Sequence, residues 1–320
     1  MANINEKIVL VGGGGGVYRV ARFLKNVREN IATIQTMFDH GGHSGRLRDE
    51  YGVLPPGDIR QAMLALADES TEMPLRELLS YRFPVKGSSI DDATLGNLIF
   101  TAFNDIYDGP LPAIEVMSRI FHVKGKVLPV SLDRAELVVE LEDGTSIEGE
   151  GNIDTRSFED DRKIVRAYLR PEANIYTGAY DALIEADKIV FCPGDLYTSI
   201  IPNILVSGFS EAIKKSKGKI IYITNIMTKK SETHNFSASD FSKMILTYLG
   251  IEKFDYVICN NDPILEKFQV LYGKEESKPV QIDEAELSKY ATTVICDRVA
   301  DQTDGVLRHN QKIASIIAKL

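Results

Sequence analysis

Five consecutive glycines, Gly12, Gly13, Gly14, Gly15 and Gly16, follow the apolar run Ile8 to Val11 and precede a helical pattern that opens at Val17. Lacking a Cβ, glycine lets the backbone take positive φ and approach a bound group closely. The free N–H groups and the dipole of the following helix favour an anion there. The chemistry this order supports is phosphate binding, the alternative being a sharp turn that only closes a sheet. Neither common fingerprint is matched. Val17 stands where a dinucleotide motif needs its third glycine, and Tyr18-Arg19 stands where a P-loop needs Lys and Ser or Thr.

Three more loops carry glycine, hydroxyls and ionisable groups. In the segment from Asp39 to Arg46, continued by Pro55 to Arg60, the carboxylates of Asp39 and Asp58 are candidates to hold Mg²⁺ against a phosphate. Arg46 and Arg60 are candidates for bidentate phosphate contacts, and Asp58 equally reads as a helix N-cap. His40 and His43 lack a nearby third His or Cys, which argues against a transition-metal site. The segment Cys192-Pro193-Gly194-Asp195-Leu196-Tyr197-Thr198-Ser199 repeats the strand, glycine turn and helix-opening hydroxyls of the first site. The last loop runs from Thr224 to Thr228, and beyond it Ser237 and Asp240 fit a capping box. Asn97 is a polar residue on an apolar helix, either a structural amide or a ligand contact. No Ser-His-Asp order and no G-x-S-x-G elbow supports hydrolase chemistry.

The elements that must position these loops alternate between strand and helix. Strands are expected at 8–11, 31–37, 188–192, 219–224 and 256–259, with short runs at 280–282 and 293–295. Helices are expected at 59–68, 74–81, 93–106, 111–121, 209–215, 238–249 and 263–271, and from Asn310. Between 126 and 170 the period changes to strict alternation, with Glu142-Asp143-Gly144 as a hairpin turn. The expectation is one α/β domain over 1–320, a Rossmann-like three-layer sandwich with a mostly parallel sheet, a helical cluster and a small antiparallel β insertion over 126–170. In such a sheet ligands bind beyond the carboxyl ends of the strands, where these loops lie.

Net charge is −9 for 320 residues, which disfavours non-specific nucleic-acid binding. No apolar run approaches the ~20 residues of a membrane span and the first residues lack a signal-peptide core, so a cytoplasmic protein is expected. Cys192, Cys259 and Cys296 are far apart and are expected to be reduced, mostly buried thiols.

The segments VGGGGG, DHGGHSGRLRDEYGVLPPGDIRQAMLALAD, GNLIFTAF, KGKVLPV, GEGNI, CPGDLYTSIIPNILV, TNIMT and LRHN, in this order along the chain, resemble the gluconeogenesis factor (YvcK-like) family of the wider CofD-like group. The resemblance implies a cytosolic homo-oligomer, such as a homodimer. It also implies binding of a sugar nucleotide like UDP-N-acetylglucosamine and a regulatory role in carbon metabolism and cell-envelope shape. Relatives in the wider group are similar to 2-phospho-L-lactate transferases, which implies a Mg²⁺-dependent phospho-group transfer as the alternative. Carried over by motif, Gly12 to Gly16, Asn97, Gly194, Leu196, Thr198 and Arg308 become nucleotide contacts, and Asp39 and Asp58 phosphate or metal contacts. The chain departs from the usual GGGTG at Gly15, from DDGGSSGRL at His40 and His43, and from GPGSLYTS at Cys192 and Asp195. Beside a diphosphate, the Asp195 carboxylate requires a neighbouring cation. An aromatic of the family pattern falls on Phe268 or Tyr272.

Overall fold

The computed structural model describes residues 5–84, 86–88, 90–157, 160–303 and 305–320. Ten strands carry the architecture: β1 (Ile8–Gly12), β2 (Ile31–Gln35), β3 (Lys126–Pro129), β4 (Glu136–Leu141), β5 (Ser146–Glu148), β6 (Ile164–Arg170), β7 (Lys188–Phe191), β8 (Lys219–Ile223), β9 (Phe254–Asn260) and β10 (Ala291–Asp297). Seven of them form one sheet in the order β10-β9-β8-β7-β1-β2-β3. Each neighbouring pair in it is parallel.

A parallel sheet covered by helices on both faces is buried on both, so its strands read as continuous apolar runs. β1 and β7 are buried along their whole length. They are also the strands where the order reverses, because β2 and β3 lie to one side and β8 to β10 to the other. The crevice at such a switch point is where the fold offers a site. Here it opens between the glycine turn after β1 and the Pro193–Asp195 turn after β7.

Among the described residues seven helices occupy the first half of the chain: α1 (Gly14–Leu24), α2 (Gly42–Tyr51), α3 (Pro56–Leu66), α4 (Glu69–Ser80), α5 (Leu95–Ile106), α6 (Pro110–Ile120) and the short α7 (Glu150–Asp154). Val17, Val20, Ala21 and Leu24 form the buried stripe of α1, at the spacing a core-facing helix needs. Farther on, the helix Ala238–Leu249 starts at Ser237 with the expected capping box to Asp240 and ends at Gly250 in the left-handed conformation.

Several expectations are corrected. The polar segment after β2 contains α2. Asp58 is not a cap: Pro56 takes the first position of α3, where its fixed φ suits helix entry, and this puts Asp58 in the first turn. Lys126–Pro129 belongs to the main sheet and pairs in parallel with β2, so the antiparallel insertion is β5-β4-β6 alone. As an edge strand β3 is only half covered, and its alternation imitates an antiparallel strand. The run 280–282 forms an isolated bridge at Gln281 in place of a strand, and the helix expected from Pro263 begins at Glu266. Cys192 and Cys259 are buried and Cys296 is half-buried, all three as free thiols. Among the described residues no helix is long and apolar enough to cross a membrane.

Candidate functional site

The five glycines are not a loop ahead of the helix, because α1 already begins at Gly14. Gly12 at φ +154° and Gly14 at φ +54° take the two conformations that require glycine. Gly13 caps the helix without a side chain, so the first-turn N–H groups are left for other partners. One of them is taken within the protein, since the Gly14 N–H donates to the carboxylate of Asp58. A Cβ on Gly13 would lie 2.6 Å from Asp58 Oδ2, so the turn and the carboxylate are built against each other.

Asp58 and Asp39 form the acidic wall beside this turn. Burial pushes Asp58 up to about 7 and the charge of Asp39 adds to the shift, while the Gly14 N–H and Arg60 oppose it. Asp39 is also raised, again first by burial, although its Oδ1 accepts the Gly41 N–H at 2.7 Å. Glu150 of α7 is pushed up to about 9 by burial and by Asp39 and Asp154. A protonated Glu150 can donate to Asp39, the hydrogen bond this pair forms.

A second acidic group follows one turn along α7. Asp154, Asp195 and Glu232 bring oxygens within 4.8 Å of one another, a spacing open to a cation. Lys229 supplies one. Its ammonium donates to Asp154 and, at 2.8 Å, to Asp195, and it lies 3.6 Å from Glu232. Burial alone would lower the lysine pKa, but Glu232 and Asp195 outweigh it and hold the group above its usual range. Glu232 is pushed up to about 7 by burial, and it accepts the Tyr197 N–H at 2.7 Å and the Thr198 hydroxyl at 2.8 Å. The cation that Asp195 requires is thus tethered to the chain.

The opposite side of the crevice is basic. Arg19 of α1 donates to the His309 carbonyl at 2.8 Å and to Asp301. It thereby ties α1 to a two-stranded hairpin, Ala300–Asp301 against Arg308–His309, which carries Arg308 to the rim. Burial holds the Arg19 guanidinium below its usual range despite Asp301, and Arg308 adds to the effect. His309 is 6% exposed and pushed down to about 4 by burial, so its neutral ring donates Nε2–H to the Thr224 carbonyl at 3.1 Å. The crevice contains two adjoining cavities that share Gly15, Arg19 and Arg308. The one toward β7, of about 240 Å³, includes Gly16, Gly194, Asn225, Met227 and Tyr272 in its lining. Behind it Ile226, Ile264, Phe268, Ala300 and Leu307 form a small core of their own. Of the two candidate aromatics, Tyr272 faces the cavity and Phe268 is buried in that core.

The expected nucleotide residues separate into two groups. Gly15, Gly16, Gly194 and Arg308 line the cavity, with Gly13 and Gly14 against the acidic wall. Gly12 ends β1, and its carbonyl accepts from the Thr36 N–H at 3.1 Å and Asn203 Nδ2 at 3.3 Å. Leu196 and Thr198 are buried in a π-helical turn, Leu196–Ile200, where the hydroxyls were expected to open an ordinary helix. Asn97 is 4% exposed; its amide accepts from Arg60 Nε at 3.1 Å and donates to Ser44 at 3.2 Å. These three residues lie behind the wall and position what lines it. Arg46 is exposed on α2, and His43 is buried. Sequence reasoning missed Lys229, Glu150, Asp154 and Glu232, because nothing in the spacing of TNIMTKKSE or GEGNID indicates that they meet.

The raised carboxyls make stability depend on pH. In the folded state Asp58 and Glu232 titrate near 7 and Glu150 near 9, above ordinary carboxyl values. The folded state therefore holds more protons than the unfolded one, and the stability present at low pH is lost as pH rises through those values. The depressed His309 acts in the opposite sense below its ordinary value of 6.5, so thermal melts are expected to show Tm falling from pH 6.5 to pH 9. A Tm that is flat or rises across that window would contradict the assignment.

A doubly wound α/β sheet with a crevice at its switch point, acidic on one wall and basic on the other, defines a Rossmann-like protein. The family model for 2-phospho-L-lactate transferase CofD matches residues 8–300. The gluconeogenesis factor of Bacillus subtilis is 37% identical over 316 residues, covering 98% of each chain. That of Halalkalibacterium halodurans is 37% identical over 306 residues, 95% of this chain and 93% of the relative. A crystal structure of a UPF0052-family protein from Bacillus halodurans superposes with a TM-score of 0.90 at 36% identity, covering 98% of this chain and 99% of that one. The chain belongs to the CofD family, in the branch of the gluconeogenesis factors.

Proposed function

We propose that the chain binds a nucleotide sugar of the UDP-N-acetylglucosamine kind in the 240 Å³ cavity and acts as a regulator without turning the ligand over. The observation that carries this reading is the convergence of an uncapped glycine helix start, Arg19 and Arg308 on one cavity at the switch point. The first-turn N–H groups and the two guanidiniums suit a diphosphate. Asn225 and Tyr272 offer the hydrogen bonds and stacking face that a nucleoside needs. In this reading the chain regulates carbon metabolism, in keeping with the name gluconeogenesis factor that its relatives carry, and cell-envelope morphogenesis, as a cytosolic homo-oligomer. Calorimetry with UDP-N-acetylglucosamine, UDP and GDP tests the binding. Arg308→Ala is expected to weaken the UDP-sugar about tenfold, roughly 1.4 kcal/mol. Absence of heat and of any thermal shift with every UDP-sugar would overturn the reading.

The paired carboxylates favour a second reading, Mg²⁺-dependent phospho-group transfer of the 2-phospho-L-lactate type. The donor set fits the ion: Asp39 and Asp58 are hard oxygen ligands whose mutual repulsion a divalent cation would relieve. Bound there, Mg²⁺ would neutralise phosphate charge. The chain's own part would be to hold the phosphate against the α1 N–H groups. The cluster Asp154, Asp195 and Glu232 does not fit a metal while Lys229 fills it. Incubation with guanylylated phospholactate, a deazaflavin acceptor and Mg²⁺ tests this reading, and no product at saturating Mg²⁺ rejects it.

A further inference from the structure

The second cavity, of about 280 Å³, is unlike the first in having a lining dominated by one charge. Among the described residues Arg19, Arg60, Arg76, Arg82 and Arg308 all border it, together with Gly15, Tyr18, Gln61, Ser80 and Thr94. Four elements contribute to this gathering: α1, α3, α4 and the 308–309 strand, with Arg82 just beyond α4. Two of the guanidiniums have carboxylate partners, Arg19 with Asp301 and Arg82 with Asp92 at 2.9 Å. Among the described residues no carboxylate lies within ion-pairing distance of Arg60, Arg76 or Arg308. Arg60 is 8% exposed and held by Asn97 and Ser80, and the Arg76 guanidinium lies 5.5 Å over the Tyr18 ring. Asp58 is the carboxylate whose charge acts on Arg60, yet the lining still holds more guanidinium than carboxylate in a chain whose net charge is −9, a local excess that favours an oxyanion. Guanidinium forks match planar or tetrahedral oxyanions in bidentate geometry, which singles out phosphate and carboxylate.

We propose that this arginine-lined cavity binds a small polyanion bearing at least two phosphate or carboxylate groups, beside the nucleotide-sugar cavity and separated from it by the shared wall of Gly15, Arg19 and Arg308. The polyanion has two sources, the distal phosphates of a longer nucleotide ligand or a separate phosphorylated metabolite, and the experiment distinguishes them. The proposal extends the nucleotide reading without depending on it. Arg76 and Arg82 border this cavity and do not line the other.

The test uses inorganic pyrophosphate as the probe, titrated into the full chain by calorimetry at two salt concentrations. The wild type is expected to bind it, more weakly at higher salt. The double variant Arg76→Gln, Arg82→Gln is expected to weaken pyrophosphate at least thirtyfold while binding of UDP-N-acetylglucosamine, measured separately, changes less than threefold. The single variant Arg76→Gln, whose fold is checked by its melting temperature, is expected to weaken the probe about tenfold and stands if the double variant does not fold. Titration into protein saturated with UTP separates the sources: competition assigns the cavity to the distal phosphates of a longer nucleotide, and simultaneous binding assigns it to a second molecule. Pyrophosphate that does not bind the wild type, or that binds the variants as tightly, overturns the proposal. Failure of the UDP-sugar alone overturns only the nucleotide reading.

Discussion

Replacing Lys229 with methionine is expected to lower stability by about 3 kcal/mol, the lower end of the cost of leaving buried charge uncompensated. For a chain of 320 residues that is a Tm lower by roughly 5 °C. The reason is geometric. Asp154, Asp195 and Glu232 hold oxygens within 4.8 Å of one another, and Lys229 is the cation that contacts all three. Removing it leaves carboxylates that repel, and Glu232 must then stay protonated to still higher pH. The same change uncovers a cluster of hard oxygen ligands. Millimolar Ca²⁺ or Mg²⁺ is therefore expected to raise the Tm of Lys229→Met more than that of the wild type. Differential scanning calorimetry with and without the cation checks both parts. A variant as stable as the wild type would show that the cluster is not held together by this ammonium.

Adjacent glycines are expected to respond in opposite ways. A Cβ on Gly16 would overlap the carbonyl of Pro193, and since that atom is backbone, relief requires moving the turn after β7 away from α1. Gly16→Ala is therefore expected to cost at or above the ~3 kcal/mol upper end of ordinary overpacking, and to displace the two loops that frame the crevice. At Gly15 a Cβ would meet nothing within 4 Å, and its backbone needs no glycine. Gly15→Thr, which adds a branched side chain with a hydroxyl at this open position, is expected to leave stability within about 0.5 kcal/mol. Thermal melts of the two variants side by side settle this, and equal losses would mean that the contact between α1 and the Pro193 turn is not rigid.

The sheet was legible because burial on both faces leaves its trace in composition. Ile8–Val11 and Ile189–Phe191 are apolar without interruption, and glycine turns follow both. Helix ends such as Ser237 and Gly250 were legible because capping is local chemistry. Where reading failed, the deciding contact was distant. Lys126–Pro129 was assigned to the insertion because an edge strand and an antiparallel strand share a period, and only its partner β2, over ninety residues earlier, separates them. Leu196 and Thr198 lie in the loop after β7, but the π-helical turn buries both, and the Thr198 hydroxyl donates to Glu232.

The sequence by itself determined the layered α/β class, the family, the glycine helix start and the need of Asp195 for a neighbouring cation. These are properties of short stretches, fixed by period, by sterics at glycine and by the charge of single residues. Only the tertiary structure decided that Lys229 is that cation, that Glu150 hydrogen-bonds to Asp39, and that five arginines from separate elements face one cavity. Charges that lie between twenty and nearly three hundred residues apart along the chain leave no local trace, because the low-dielectric interior that couples them exists only once the sheet has brought its carboxyl ends together.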